Sequence, residues 1–359
     1  MTALSSVNRK DIKYKAKRGV SGAIIMAVVS LCLLGAIAGC ASSAAYVNES
    51  GDGSSTHFTE PDRPSVSQSP TLRCNYYNEK EFMASLEAAG RGEGTGAGND
   101  ADGYSIGKDT SKANSAGRNL TGGSSRIAGG VTPHHLLAAD MIAAFFREMS
   151  VNPPDTIVVI GPNHKRLGFS GLNTSSSDWG TPFGRLEANR DIVKLLAEKF
   201  NAASNDRLMQ DEHSISSLMP YIGYYMPDVS IVPILLHGNY TSDNALKLGK
   251  FLGDMAGEKG DIAIIASIDF SHYLDAKTAD KMDDITWAAI ESRDIQAISI
   301  MGNDNLDSPP SIIALLGAMG EAGAQGPEKS GHSNSSIIAG GGADYTTSYF
   351  TMFYRYIDK

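Results

Sequence analysis

Thr156-Ile157-Val158-Val159-Ile160-Gly161-Pro162-Asn163-His164 sets five β-formers directly against glycine, proline, asparagine and histidine. A short apolar run bounded by turn residues reads as a strand buried on both faces, and such strands belong to parallel sheets. The same pattern recurs outward from this stretch. Candidate strands are residues 126–132, 156–160, 230–235, 263–267 and, antiparallel at an edge, 348–356. Between them, apolar residues at three- and four-residue spacing predict helices over 136–149, 191–200, 244–257, 276–292 and 311–320. The expected fold class is α/β, with a mainly parallel central sheet flanked by helices.

Ligands of open α/β sheets collect beyond the C-terminal ends of the strands. The chemically rich residues fall there. The first strand ends in Pro133-His134-His135, the second in Gly161-Pro162-Asn163-His164, and the strand over 263–267 in Asp269-Phe270-Ser271-His272. Only eight histidines occur in the 359 residues, so three strand ends that each deliver one are hard to ascribe to polar loops alone.

Composition narrows the partners. A formal charge of −9 argues against a nucleic-acid binder, which needs a basic surface, and leaves small molecules or proteins. The three cysteines are Cys32, Cys40 and Cys74, and two of them lie in the leader, so no disulfide framework or zinc ribbon can be built. Any metal must be held by histidines and carboxylates. No phosphate-binding P-loop is present.

The N-terminus reads as a signal peptide: Arg9, Lys10, Lys13, Lys15, Lys17 and Arg18 precede an apolar run over 23–38. The run ends in Ile37-Ala38-Gly39-Cys40, which resembles a bacterial lipobox. Lipidation at Cys40 is expected, with the body exported and anchored at the cell membrane or outer membrane, facing away from the cytoplasm. The alternative is an uncleaved membrane anchor, for which the run is short. Residues 1–40 form the leader, 41–70 a flexible tether, and 71–359 the domain, with a Gly/Ser-rich insertion at about 90–125.

Taken in order, Pro133-His134, Gly161-Pro162-Asn163-His164, the segment Asp178 to Gly184, Asp211-Glu212-His213-Ser214 and Ser267-Ile268-Asp269-Phe270-Ser271-His272-Tyr273 resemble the Memo family. Its bacterial and archaeal members are called AmmeMemoRadiSam system protein B. The resemblance runs from about Arg73 to the C-terminus. It implies a fold similar to the class III extradiol dioxygenases and a pocket formed by His134, His164, Asp269 and His272. A further family position is often cysteine; here the region reads Asn305-Leu306-Asp307-Ser308, and Asp307 is the oxygen ligand that would stand in its place.

Two imidazoles and a carboxylate on one side of a metal leave positions open for O₂ and substrate, the arrangement of non-haem iron(II) oxygenases. The expected cofactor is one metal ion, iron(II) first, with copper or zinc as alternatives. Asp269 and His272 are three apart, so one turn can aim both at a point; the alternative is an Asp that caps the turn. His213 is read as a general acid/base or as support for a ligand, and His272 as a second catalytic candidate. Asp211 and Glu212 also suit a plain helix start. His135 is expected to face away from His134. Trp179 and Phe183 read as a pocket wall or, equally, as a plug under a loop. His332 lies in a segment that would border the site. The functional expectation is a metal-dependent oxidoreductase on a small chelating substrate; the alternatives are a non-catalytic metal- or protein-binding module and a metal-assisted hydrolase.

Overall fold

The strand over Thr156–Pro162 is buried along its whole length. Val158 and Ile160 belong to one apolar cluster, and Ile157 and Val159 to a second. That alternation is the two-residue period of a strand covered on both faces. The computed structural model describes residues 71–91, 126–259, 261–341 and 344–356. The expected leader with Cys40, the tether over 41–70 and nearly all of the Gly/Ser-rich stretch lie outside the described residues. No described helix is long and apolar enough to cross a membrane.

The strands are β1 (Thr71–Arg73), β2 (Ile127–Thr132), β3 (Thr156–Pro162), β4 (Leu172–Thr174), β5 (Asp178–Thr181), β6 (Gly184–Ala188), β7 (Ala203–Ser204), β8 (Ser230–Leu236), β9 (Ile262–Ser267), β10 (Phe270–Leu274), β11 (Gln325–Asn334) and β12 (Thr346–Arg355). The helices are α1 (Glu79–Arg91), α2 (Ala139–Met149), α3 (Arg190–Phe200), α4 (Asp206–Asp211), α5 (His213–Ser216), α6 (Met219–Tyr225), α7 (Ser242–Lys259), α8 (Ala276–Glu291), α9 (Ile295–Ser299), α10 (Pro309–Glu321) and α11 (Ser335–Ile338). A 3₁₀ turn over Leu136–Ala138 precedes α2, where one continuous helix was expected.

The strands join in the order β1-β5-β6-β8-β3-β9-β2-β12-β10. From β6 to β2 the neighbours are parallel, as expected. Parallel neighbours need crossover connections, and these carry the covering helices. Leu196 of α3, Leu248 of α7 and Ile312 of α10 pack in the first cluster. Phe82 of α1, Phe146 of α2 and Ile222 of α6 pack in the second. Helices α7 and α10 approach closely: a Cβ on Gly249 would lie 2.1 Å from the Ala314 carbonyl oxygen.

One expectation needs correction. β12 is antiparallel, but it is not an edge strand: β2 and β10 pair along one side of it and β11 along the other. β11 is exposed at half of its positions and has almost no apolar residues, so hydropathy patterning passes over it.

The order β3-β9-β2 sets three parallel strand ends side by side. Thr132 pairs with Ser267 and Ile160 with Ala266, so the three ends lie in near register, about 4.8 Å apart. His134 and Asp269 each follow those paired residues by two positions. The sheet itself therefore brings them together.

Candidate metal centre

The turn out of β2 is tied to the turn out of β9. Ile268 donates its N–H to the Thr132 carbonyl at 3.0 Å, and His134 donates its backbone N–H to Asp269 Oδ1 at 3.1 Å. Asp307, in the segment before α10, joins the same ladder: its N–H donates to the Asp269 carbonyl at 3.1 Å, and its Oδ2 accepts the Asp269 N–H at 3.3 Å. The short helix α5 docks over the strand ends. Ser214 Oγ donates to the Pro162 carbonyl at 2.8 Å, and Ser217 Oγ donates to the His134 carbonyl at 3.1 Å. A Cβ on Gly161 would meet Ser214 Oγ at 2.7 Å, so the glycine before Pro162 is what lets α5 seat.

Each imidazole is held from behind through Nδ1. Ser267 Oγ donates to the Ser214 carbonyl at 2.6 Å, so toward His134 Nδ1, 3.1 Å away, it accepts. Glu212 Oε1 lies 2.9 Å from His164 Nδ1 and 3.0 Å from His213 Nδ1. With Nδ1–H spent in each ring, Nε2 is left as the lone-pair nitrogen, the usual way a metal-binding histidine is oriented. The rings themselves cluster: centroids are 5.1 Å apart for His134 and His164, and 4.4 Å for His164 and His213.

The other side of the rings carries the decisive contacts. His134 Nε2 is buried and has no hydrogen-bond partner. It lies 3.4 Å from Asp269 Oδ2 and 3.3 Å from Asp307 Oδ2, and His164 Nε2 lies 3.4 Å from the same Asp307 oxygen. Two donors bound at ~2.1 Å to one ion stand roughly 3.0–3.4 Å apart, for right-angle to tetrahedral geometry. The ligand atoms of His134, His164 and His213 lie within 4.8 Å of one another, as do those of His134, Asp269 and Asp307.

Electrostatics argue the same way. Asp269 and Glu212 are buried, the Asp307 side chain is 6% exposed, and among the described residues their ion-pair partners are histidines alone. Burial alone would lower the pKa of His134, but Asp269 and Asp307 outweigh it and raise it. Burial also opposes a charge on His164, yet Asp307 and Glu212 push it up to about 10. Burial would raise Asp307 and Glu212, and their histidine partners instead hold both well below the usual carboxylate range. Buried acids with no lysine or arginine among their partners are balanced here only by imidazolium protons, which a metal cation would displace in taking up Nε2.

Comparison with known proteins supplies a family. A family profile described as Memo-like protein matches residues 114–351, more than half of the chain. The chain belongs to the Memo-like family. A MEMO1 family protein of Pyrobaculum arsenaticum is 32% identical over 46% of this chain and 60% of its own length. The chain thus spans less than two thirds of that relative. One from Methanococcoides burtonii is 30% identical over 60% of this chain and 82% of its own. An uncharacterized protein of Escherichia coli K12, known from a crystal structure, aligns over 58% of this chain and 91% of its own at 13% identity, with a TM-score of 0.38.

Within this Memo-like fold the expected residues separate. His134, His164, Asp269 and Asp307 come together. His213, read as an acid/base or a supporting residue, joins them as a third imidazole: it is the first residue of α5 and stacks on His164. His272 stands outside both ligand groups; it is on β10, lines the adjoining cavity of about 610 Å³, and its Nδ1 has no partner. Burial pushes its pKa below the ordinary histidine value. Trp179 and Phe183 are not walls of this cavity. Trp179 is fully buried in the second core cluster, and Phe183 packs on Phe82 and Tyr224, so they serve as the plug. His135 turns to the Tyr349 hydroxyl at 2.5 Å, and His332 pairs with Asp283 at 2.9 Å on β11, away from the cavity lining. Glu212 was read as a helix start. It does accept the Ser214 N–H, but it also orients two of the rings.

Proposed function

We propose that this chain is a metal-dependent oxidoreductase that holds one ion, iron(II) or copper, between His134, His164 and Asp307, with His213 and Asp269 adjoining. The buried Nε2 of His134, which makes no hydrogen bond and faces two carboxylate oxygens, carries the reading. Zinc would suit the same donors. When bound, the ion supplies Lewis acidity and, for iron or copper, electron transfer to a coordinated substrate. The protein's own residues orient and protect. Glu212 and Ser267 fix the ring tautomers, and the cavity leaves the site open on one side to a small molecule. His272, kept neutral by burial, is the group able to take a proton from a substrate hydroxyl as it binds.

The leader supports an exported form anchored through a lipid on Cys40, so the chemistry would occur at a membrane surface outside the cytoplasm. Replacement Cys40→Ala should move the protein from the membrane to the soluble fraction or arrest its processing; unaltered fractionation would remove the anchor from the reading.

The primary test is elemental analysis of the anaerobically purified full chain beside a His134→Ala/His164→Ala variant. Near-stoichiometric iron or copper that is lost in the variant supports the centre. No metal in either protein sinks it. An occupied site that never consumes O₂ with chelating substrates would leave a binding module, and turnover without O₂ would point to hydrolysis.

A further inference from the structure

The cavity lined by His164, His272 and Asp307 is lined also by Arg166, the one lysine or arginine among its lining residues. Its neighbour Lys165 is engaged, with Nζ donating to the Asp211 carbonyl at 2.7 Å. The Arg166 guanidinium has no hydrogen bond or ion pair among the described residues. The nearby carboxylates of Asp269, Asp307 and Glu212 are spoken for by histidines.

The backbone of Arg166 has φ of 50°, the left-handed region that residues with a Cβ avoid. A glycine would adopt it without strain, so arginine at this position asks for another reason. Asn163 maintains the conformation. Its carbonyl accepts the Arg166 N–H at 3.1 Å, its Oδ1 accepts the Leu167 N–H at 3.2 Å, and its Nδ2 donates to the Leu167 carbonyl at 2.7 Å. Asn163 is itself 3% exposed. One braced turn thus presents His164 to the metal site and Arg166 to the same cavity. Tyr273, also at positive φ with a value of 61°, lines it too. Thr241 and Ser242, at the positive end of the 18-residue α7, are further lining residues.

We propose that Arg166 determines specificity by binding the carboxylate of an anionic small-molecule substrate whose other end reaches the metal centre. The inference deepens the oxidoreductase reading and rests on it for that second contact. A planar guanidinium pairs with a carboxylate through two parallel hydrogen bonds. A monoanion suits a cavity with one guanidinium beside Asp307 better than a phosphate dianion does.

The test is calorimetric titration of the full chain with catechol and with 3,4-dihydroxybenzoate, which differ by one carboxylate, in chelator-treated and iron-loaded protein. The benzoate should bind at least tenfold tighter than catechol in both forms. In Arg166→Gln the preference should fall to about one, with catechol binding unchanged, and Arg166→Lys should retain part of it. Arg166→Gly relieves the left-handed strain, so it should fold at least as well and still lose the preference. Equal affinities in the wild type, a preference that survives Arg166→Gln, or no binding of either ligand overturns the proposal. A charge-transfer band on adding catechol to iron-loaded protein reports the metal centre separately. Its absence would sink the metal reading, while the titrations on chelator-treated protein still decide the role of Arg166.

Discussion

Glu212 grips His164 at two points: Oε2 accepts the backbone N–H at 3.0 Å, and Oε1 lies 2.9 Å from ring Nδ1. The same Oε1 serves His213 at 3.0 Å. A single buried carboxylate thus sets the orientation of two of the three clustered imidazoles.

Replacing Glu212 with Gln leaves one acceptor oxygen and introduces an amide that cannot accept. Metal affinity should fall by about 10–100-fold, the usual penalty for losing a group that orients a ligand. Competition against a fluorescent chelator measures it. Undiminished affinity would mean that the rings are held by packing alone.

Asp307 contacts both His134 Nε2 and His164 Nε2 through one oxygen. Thiolate is a softer ligand than carboxylate, so Asp307→Cys should shift selectivity from iron(II) toward copper(I) and zinc. Competitive loading from equimolar mixtures, followed by elemental analysis, reads the shift. An unchanged metal ratio would exclude Asp307 from the ligand set.

Asp178 is a structural counterpart, outside both candidate ligand groups. It is 2% exposed, accepts the Ala188 N–H at 2.9 Å, and pairs with Arg185 and with Arg190, the latter at 2.7 Å. Burial would raise its pKa, but the Ala188 N–H and the two arginines outweigh burial and lower it. A lowered folded-state pKa contributes stability that is present above the unfolded value, near 3.8, and is lost as pH falls through the folded value. Asp178→Asn should therefore destabilise by about 2 kcal/mol at pH 7, and the gap should narrow below about pH 4. Urea melts at both pH values check this; a gap that widens on acidification would refute it.

Gly249 packs against the Ala314 carbonyl, where α7 crosses α10. Alanine gains about 1 kcal/mol of helix propensity over glycine. Overpacking costs about 1–3 kcal/mol, and more where backbone rather than a flexible side chain must move. Gly249→Ala should lower the melting temperature while leaving metal content intact. A raised melting temperature would show that the helices separate freely.

The sequence disclosed the parallel core because β3, β8 and β9 are continuous apolar runs that end in turn residues. His134, His164 and Asp269 were legible as strand-end residues, and Asp307 through the resemblance. His213 as a member of the cluster and Glu212 as its orienting acid were not. Their placement depends on how α5 seats over Gly161, a contact between residues 53 apart that no local pattern encodes. The Asp211-Glu212-His213 run held a clue, an acid immediately before a histidine, but the same letters also begin a helix. Trp179 misled for a related reason: its glycine- and proline-rich neighbourhood reads as a loop, whereas it forms the hairpin of β5 and β6 with the indole in the core. β11 was missed because an edge strand that faces water has little hydropathy signal to show.

Three of the candidate ligands extend from neighbouring rungs of one hydrogen-bonded ladder, at the carboxyl ends of β2, β3 and β9. The Gly/Ser-rich stretch rejoins the described chain at Arg126, at the opposite end of the six-residue β2, about 20 Å from His134. Chain length is thus free to drift across evolution at that entry point without altering the spacing among His134, His164 and Asp269. A new loop could be inserted there and the geometry of the donors would be inherited unchanged.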